Sequence, residues 1–258
     1  MRQLLVVALG LLSLRGSATA QAPLPGASWV EAGGFYHRVS GAFGNWKGGY
    51  LRGVLSGARN VWYLDAKAQE AFGDRGVYGA LANVHTFGSR VYSQVSVGGG
   101  TGTYVLPDLR LDAALAVKLG AGKSVVVTAG GTFVKAKTIY QDRAVVGGLV
   151  WYAGPAVVEL SGRVNWSDPN AVRSERVNGA VTLGSAGRRL VAIRGGAGTE
   201  GYQLTGVTAT RRRFRSQEVG LSWREWTGAR FGLVLAGELY HNPFYTRAGV
   251  SLGIFRGW

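Results

Sequence analysis

The chain has 258 residues, including 42 glycines and no cysteine, and it carries a formal net charge of +15. Its 17% of charged residues lies below the roughly 25% of an average soluble domain, while its 47% of hydrophobic residues excludes a disordered chain. The absence of cysteine excludes disulfides and thiolate metal sites.

The first twenty residues have the pattern of a secretory signal peptide. Met1 and Arg2 form a short basic start, residues 4–14 are apolar apart from glycine and serine, and small residues at 18–20 precede Gln21. The apolar run is too short to cross a bilayer as a helix. We therefore expect residues 1–20 to be a cleaved signal peptide for export across the inner membrane, with a buried N-terminal helix as the alternative.

From Gln21 onward, apolar residues alternate with polar or small residues at a period of two, which indicates strands. The segment DLRLDAALAVKLG is the clearest case, and AVVELSGRVNW and RFGLVLAGELYH repeat the pattern. We count about fourteen such segments of roughly ten residues, the length of a tilted strand that crosses a membrane. They start near Trp29, Trp46, Val61, Val77, Val91, Leu109, Val125, Val145, Val157, Arg173, Leu190, Arg213, Phe231 and Tyr245.

The connections between these segments differ in kind. Even-numbered segments are followed by tight, glycine-rich turns such as SGARN and GAGK, and odd-numbered ones by more varied loops such as TYVLPD and TEGYQLTGVTATRRR. Tryptophans fall near segment ends, where amphipathic aromatic rings meet a membrane interface. Short turns at one end and longer loops at the other are typical of an outer-membrane barrel whose N-terminus lies in the periplasm.

These patterns predict an all-β fold for residues 21–258. We expect a transmembrane, antiparallel, up-and-down β-barrel in the cell outer membrane, with about fourteen strands and with twelve or sixteen as alternatives. The competing fold is a soluble β-sandwich or calycin-like barrel. The less apolar face, however, carries small residues such as Thr128, Gly130 and Thr132, which suit a crowded lumen better than a solvated surface.

The segment VEAGGFYHRVSGAFGNWKGGYLRG resembles the start of the YaiO family of outer-membrane β-barrel proteins, and the likeness continues loosely through VLPDLRLDAAL. In that family a short strand with a glycine and a tyrosine is followed by a turn, a tryptophan and a second strand. The resemblance implies an outer-membrane barrel whose biochemical role is poorly defined, with a suggested link to envelope polysaccharide. It carries no catalytic signature.

Residue parity assigns a set of charged side chains to the barrel interior, nine of them basic and six acidic. They form either an ion-pair network that fills the barrel, or scattered charges along a wet, mildly anion-preferring channel. The set consists of Arg52, Asp65, Lys67, Arg110, Asp112, Lys118, Glu159, Arg163, Arg176, Arg194, Glu218, Arg224 and Glu238, together with Glu31 and Arg247.

A second basic set lies near the expected extracellular rim on the lipid-facing parity. We expect these residues to contact lipopolysaccharide phosphates, with generic solvated loop charge as the alternative. The set consists of Arg38, Lys135, Lys137, Arg211, Arg213 and Arg215. The densest run, TATRRRFR, falls on this rim rather than along one stripe with stacking aromatics, so we expect no nucleic-acid partner.

Enzymatic chemistry is the alternative function, since an acyl hydrolase or transferase needs a nucleophile beside a base. His37 and His241 lie toward the extracellular ends of segments that become near neighbours on closure, with Ser40 and Asn242 close by. They match no motif, and VGGGTGTY lacks the Lys-Ser/Thr ending of a phosphate loop. We assign no catalytic residue, metal ligand or cofactor, and we expect a structural or transport role, as a narrow channel or a polysaccharide-associated barrel.

The chain ends with AGVSLGIFRGW. Val250, Leu252 and Ile254 alternate with small residues, and Trp258 resembles the terminal aromatic that the barrel assembly machinery recognises. Arg256 departs from that pattern, because the place usually holds an apolar or aromatic residue. The expected partners are therefore outer-membrane lipid, lipopolysaccharide and, during biogenesis, the assembly machinery.

Overall fold

A computed structural model describes residues 28–202 and 212–258, which form fourteen antiparallel strands. Each strand pairs with its neighbours in the chain, and β1 pairs with β14 to close a barrel. The strands are β1 (Trp29–Val39), β2 (Trp46–Ser56), β3 (Asn60–Ala71), β4 (Asp74–Thr86), β5 (Val91–Gly100), β6 (Leu109–Leu119), β7 (Val125–Lys135), β8 (Gln141–Ala153), β9 (Ala156–Asp168), β10 (Val172–Ser185), β11 (Arg189–Tyr202), β12 (Arg212–Trp226), β13 (Phe231–His241) and β14 (Thr246–Gly257).

The predicted fold class and strand number are confirmed, and most strands begin within a residue of the expected position. The largest differences are at β8, which begins at Gln141 rather than Val145, and at β4, which begins at Asp74 rather than Val77. Both extensions are polar and lack the apolar alternation by which a strand is found. The predicted signal peptide, residues 1–20, lies outside the described residues.

Closure explains why the outer surface can be apolar, since every strand has two hydrogen-bonding neighbours and no backbone edge is left open. On β14, Val250, Leu252 and Ile254 are 60–64% exposed on the outer face. The small residues between them face the lumen. Within the described part of the chain, no helix is long and apolar enough to cross a membrane.

The connections at the two ends of the barrel differ less in length than the sequence predicts. The end that carries Trp29 and Trp258, here called the terminal end, has only short turns, such as 57–59 and 154–155. The other end, here called the loop end, carries the longer connections 40–45, 101–108 and 203–211, but also the short connections 72–73 and 169–171. Connection length therefore separates the two ends only on average.

The tryptophans lie near strand ends, as expected, but they do not all form an outer belt. Trp62, Trp151, Trp166, Trp223 and Trp258 are 38–61% exposed on the outer face. Trp29, Trp46 and Trp226 point into the lumen instead, where guanidinium groups lie over their rings. An inward-facing position at a strand end suits tryptophan when an arginine on the same strand or on a strand further round the barrel reaches its ring.

Candidate functional site

The lumen is the candidate site, and the structure places all fifteen predicted interior charges on its inner surface. It adds three carboxylates that sequence reasoning left in loops: Asp74, Asp142 and Glu200. Among the strand residues whose side chains are described, the inner surface therefore carries nine basic and nine acidic groups. The three added carboxylates offset the positive excess of the predicted set, because the strands extend further toward the loop end than their apolar alternation does.

One side of the lumen is filled by side chains that cross the closing seam between β1 and β14. Here it is called the packed wall, formed by the inner faces of β12, β13, β14 and β1. Near the terminal end, Arg224 of β12 donates to Glu31 of β1, and both side chains are at most 4% exposed. The Arg224 guanidinium also lies 4.2 Å from the centre of the Phe255 ring and 4.7 Å from that of Trp29. A single buried arginine thus links three strands of the wall.

The same carboxylate extends the network to β2 and β3. Arg52 Nη1 lies 3.7 Å from Glu31 Oε1, and Arg52 Nε lies 3.5 Å from Asp65 Oδ1. The Arg52 guanidinium lies 4.4 Å from the centre of the Tyr50 ring. Positive and negative side chains therefore alternate along this level of the lumen.

A second cluster joins the packed wall nearer the loop end, around Glu238 of β13. Arg247 Nη2 lies 2.9 Å from Glu238 Oε1, Arg194 Nη2 lies 3.3 Å from Oε2, and His37 Nδ1 lies 3.4 Å from Oε1. The Arg247 guanidinium covers the Trp46 ring at 4.3 Å. Four strands on both sides of the seam are therefore joined through one carboxylate.

Glycines on the inner faces of β1 and β14 leave room for an aromatic ring between these two clusters. A Cβ atom at Gly33 would lie 2.5 Å from the Tyr50 ring, and one at Gly253 would lie 2.5 Å from the Tyr50 hydroxyl. The ring of His37 lies in the same way over Gly249. The glycines on the inner face of β14 thus leave room for the Tyr50 and His37 rings, which fill this part of the lumen.

A third network lies on β5, β6 and β7. Arg110 pairs with Asp112 two residues along β6, at 2.8 Å between Nε and Oδ2. Ser96 and Thr132 donate hydroxyl hydrogens to the two oxygens of the same carboxylate, at 2.9 and 2.8 Å. Every oxygen of this buried carboxylate has a partner, as burial requires.

A neighbouring part of the lumen is less filled, and here it is called the open wall, formed by the inner faces of β9, β10 and β11. Arg176 of β10 forms an ion pair of 3.0 Å with Glu218 of β12, the strand that adjoins β11, and this carboxylate is 36% exposed. Arg194 is 26% exposed. Between these long side chains stand small residues such as Ala180 and Ala192, which are also partly exposed. Across the barrel, β3 faces β10 with Asp65 and Lys67, also partly exposed.

Apolar side chains close part of each end of the lumen. At the loop end, Phe43, Trp46, Phe72, Tyr240 and Tyr245 pack together, with neighbouring rings 4.9–6.0 Å apart. At the terminal end, a second cluster of valines, tyrosines and an alanine spans β3 to β9. Among the described residues, neither cluster contains a residue of β10 or β11.

The loop 101–108 folds over the loop-end cluster and is held by a carboxylate. Asp74 accepts hydrogen bonds from the backbone N–H groups of Thr103, Tyr104 and Val105 at 2.9–3.0 Å. The Tyr104 hydroxyl donates to the Phe72 carbonyl. Burial raises the pKa of Tyr104, so the hydroxyl remains a neutral donor at physiological pH.

The two histidines considered for the enzymatic alternative are not brought together. His37 faces the lumen and is 2% exposed, whereas His241 is exposed on the outer face, with Nδ1 2.9 Å from the Thr246 hydroxyl oxygen. Ser40 and Asn242 hold backbone amides of the adjoining loop. The expectation that these residues meet is wrong, because the two histidines lie on opposite faces of the wall. Within residues 28–202 and 212–258, no three His, Asp or Glu side chains are grouped to hold a metal ion.

The rim residues predicted to contact lipopolysaccharide fall into three groups. Arg38, Lys135, Arg213 and Arg215 are exposed on the outer face at the loop end. Lys137 is 17% exposed, with Nζ 2.5 Å from Asp108. Arg211 lies outside the described residues.

Sequence reasoning missed further cations on the same outer rim, including a pair beside Trp166. Arg143 of β8 and Arg173 of β10 stand directly opposite Trp166 of β9 in the strand register, one on each side. Their side chains are 67% and 59% exposed. Arg143 has the same parity as Val145, the predicted start of β8, so extending that strand by two residues toward its N-terminus would have placed Arg143 on the outer face.

The C-terminal residues proposed as an assembly signal form the last outer-facing stretch of the seam. Trp258 is 61% exposed, and its backbone N–H donates to the Ser28 carbonyl at 3.0 Å. Arg256, the departure from the expected pattern, extends over the Phe231 ring at 5.4 Å. Its apolar stem therefore lies along the outer face, and a basic residue fits at this position.

A family model described as the YaiO membrane beta barrel domain matches residues 28–203. None of the curated proteins matches the sequence significantly.

Several solved outer-membrane proteins have similar folds. An outer membrane channel from Pseudomonas putida F1 has a TM-score of 0.55 at 13% identity, covering 94% of this chain and 99% of that one. The CymD monoaromatic hydrocarbon channel has a TM-score of 0.61 at 7% identity, covering 90% and 88%. An anion-selective porin from Comamonas acidovorans has a TM-score of 0.52 at 8% identity, covering 90% and 98%. At such low identities, these similarities concern the fold.

Proposed function

Because the chain belongs to the YaiO family of membrane β-barrel domains, we propose that it is a narrow outer-membrane channel for ions and small polar solutes. The observation that carries this proposal is the difference in filling between the two walls. Partly exposed charged groups separated by alanine and glycine follow β9 to β11, and the apolar clusters at the two ends do not include β10 or β11.

The charge balance of the lumen supports weak ion selectivity. Nine basic and nine acidic groups line the inner surface among the strand residues whose side chains are described. Pore selectivity follows from the charges that line the path. The open wall offers both signs at close range, with Arg176 beside Glu218, so neither anions nor cations have a large advantage.

Narrowing the open wall tests the proposal. Ala192 faces the lumen on β11 and Ala197 faces outward on the same strand, so the two alanines form a matched pair. In planar lipid bilayers, Ala192→Phe is expected to lower single-channel conductance several-fold, and Ala197→Phe to leave it unchanged. Equal conductance for both variants and for the unmodified protein would contradict a path along this wall.

We also propose the export route and the outer-membrane partners of the barrel. Export through a signal peptide at residues 1–20 fits an outer-membrane barrel. The exposed cations of the loop-end rim fit the phosphates of lipopolysaccharide. Trp258 fits recognition by the barrel assembly machinery. The alternative of a lipid-modifying enzyme loses its support, since His37 and His241 lie on opposite faces of the barrel wall.

A further inference from the structure

Glu159 differs from every other carboxylate on the described inner surface. Five of these carboxylates form ion pairs, and three more accept hydrogen bonds from protein groups. Within the described residues, no lysine or arginine nitrogen lies within ion-pair distance of Glu159, and no side chain hydrogen-bonds to it. An unpaired charge in a partly enclosed lumen is costly, and a ligand of opposite charge would offset that cost.

The surroundings of Glu159 are aromatic and apolar. It faces Val150 of β8 and Ala180 of β10 in the strand register, and Tyr152 lies diagonally across on the same inner face. Val150, which Glu159 faces across the register, packs in one cluster with Tyr92 and Tyr152. Both tyrosines belong to the terminal-end apolar cluster.

A third tyrosine of this cluster has a free polar atom. The Tyr63 hydroxyl is buried and has no hydrogen-bond partner within the described structure. The basic group nearest this cluster, Lys118, has its Nζ 5.6 Å from the centre of the Tyr92 ring and outside ion-pair distance of Glu159. One carboxylate, one free hydroxyl and several aromatic rings therefore share the terminal end of the lumen.

We propose that Glu159 and the tyrosines Tyr63, Tyr92 and Tyr152 form a binding site for an organic ammonium group. The carboxylate supplies the opposite charge, and tyrosine rings attract a weakly hydrated cation through their faces. A divalent metal ion does not fit, because calcium takes six to eight oxygen ligands and this site offers one carboxylate. Glu159 lies on β9, at the edge of the open wall, where solutes that enter the proposed channel pass it.

Binding of choline to the folded, detergent-solubilised protein tests the site by isothermal titration calorimetry. We expect saturable binding of choline and none of sodium at the same ionic strength. Glu159→Gln is expected to weaken choline binding at least ten-fold and Tyr152→Leu several-fold. Glu225→Gln, on the outer face at the same end of the barrel, is the matched control and should bind choline normally.

The altered electrophoretic mobility of a folded barrel before heating shows whether each variant is folded. Choline binding that persists in folded Glu159→Gln, or that is absent from the unmodified protein, would overturn the proposal. The inference rests on the proposed function only in requiring that solutes reach the lumen. Choline binding without any bilayer current would contradict the channel and support the binding site. Bilayer current without choline binding would support the channel and contradict the binding site.

Discussion

The packed wall and the open wall arise from the same alternating sequence pattern, yet they fill the lumen differently. On the packed wall, aromatic rings lie over glycines and the Glu31 and Arg224 side chains are at most 4% exposed. On the open wall, small residues separate charged side chains such as Arg194, which is 26% exposed. Glu218, on the adjoining strand β12, is 36% exposed. The wall where the first and last strands meet is the one that is cross-linked, so closure and passage are assigned to different groups of strands.

Burial gives the ion pairs of the two walls different energetic roles. Removing one member of a buried pair leaves an uncompensated charge, whereas an exposed pair exchanges its partner for water at little cost. The pairs of the packed wall therefore hold the seam, and those of the open wall mainly set the local electric field.

The largest difference is expected between Glu31→Gln and Glu218→Gln. Glu31→Gln leaves Arg224 buried without its carboxylate and should lower the free energy of unfolding by about 3–5 kcal/mol. Glu218→Gln removes a partly exposed partner of Arg176 and should cost about 1 kcal/mol or less. Urea unfolding of the barrel in lipid vesicles measures both, and equal losses would contradict the distinction between the walls.

Glycine replacements give a smaller difference. In Gly33→Ala the new methyl group meets the Tyr50 ring and the Leu252 carbonyl, each at 2.5 Å, so we expect a loss of about 1–3 kcal/mol. In Gly196→Ala on the open wall, the contacts are the ends of the Asn178 and Arg176 side chains, which can move. Its loss should stay below about 1 kcal/mol by the same urea measurement. A larger loss at Gly196 would show that the open wall is rigidly packed.

Replacement of Trp258 should affect assembly more than stability, because its side chain is 61% exposed. Trp62 is the matched control, as an outward-facing tryptophan at the same end but within the chain. In cells, Trp258→Ala should reduce the folded fraction in the outer membrane, and Trp62→Ala should have a weaker effect. Both variants should show similar stability once folded in vitro. Equal assembly of the two variants would contradict a role of Trp258 as an assembly signal.

The smallest effect is expected on the outer rim, where each cation contributes about 1 kcal/mol or less to binding an anionic headgroup. The combined variant Lys135→Gln, Arg213→Gln and Arg215→Gln should retain less lipopolysaccharide after purification, measured by its phosphate content. Lys137→Gln should retain the normal amount, since Asp108 already pairs with this lysine. Unchanged retention in the combined variant would indicate ordinary solvated charge.

Strand number, strand direction and side-chain faces could be predicted from the sequence because period-two alternation determines all three. The interior position of charges such as Arg224 and Glu238 follows from parity alone. Strand ends could not be predicted as well, since polar residues beyond the apolar band carry no alternation. That is why Asp74, Asp142 and Glu200 were missed, and with them the charge balance of the lumen.

The pairing of the interior charges also lay beyond the sequence. Arg224 and Glu31 are separated by 193 positions, and they meet only because the barrel closes at β1 and β14. Which wall is filled depends on rings such as Tyr50 lying over glycines of a neighbouring strand, a relation that needs the register. Alternation assigns a side chain to a face, and closure assigns its partner.

Thiol accessibility tests the contrast between the two walls most directly, because the chain contains no cysteine and each introduced cysteine reports alone. Asn178→Cys and Ala192→Cys lie on the open wall, and Ser222→Cys lies on the packed wall, where the serine is 4% exposed. In bilayers, a charged, water-soluble methanethiosulfonate reagent should modify the two open-wall cysteines rapidly and reduce the current, and should react slowly at position 222. Equal reaction rates on both walls, or no current from the folded protein, would contradict a channel along β9 to β11.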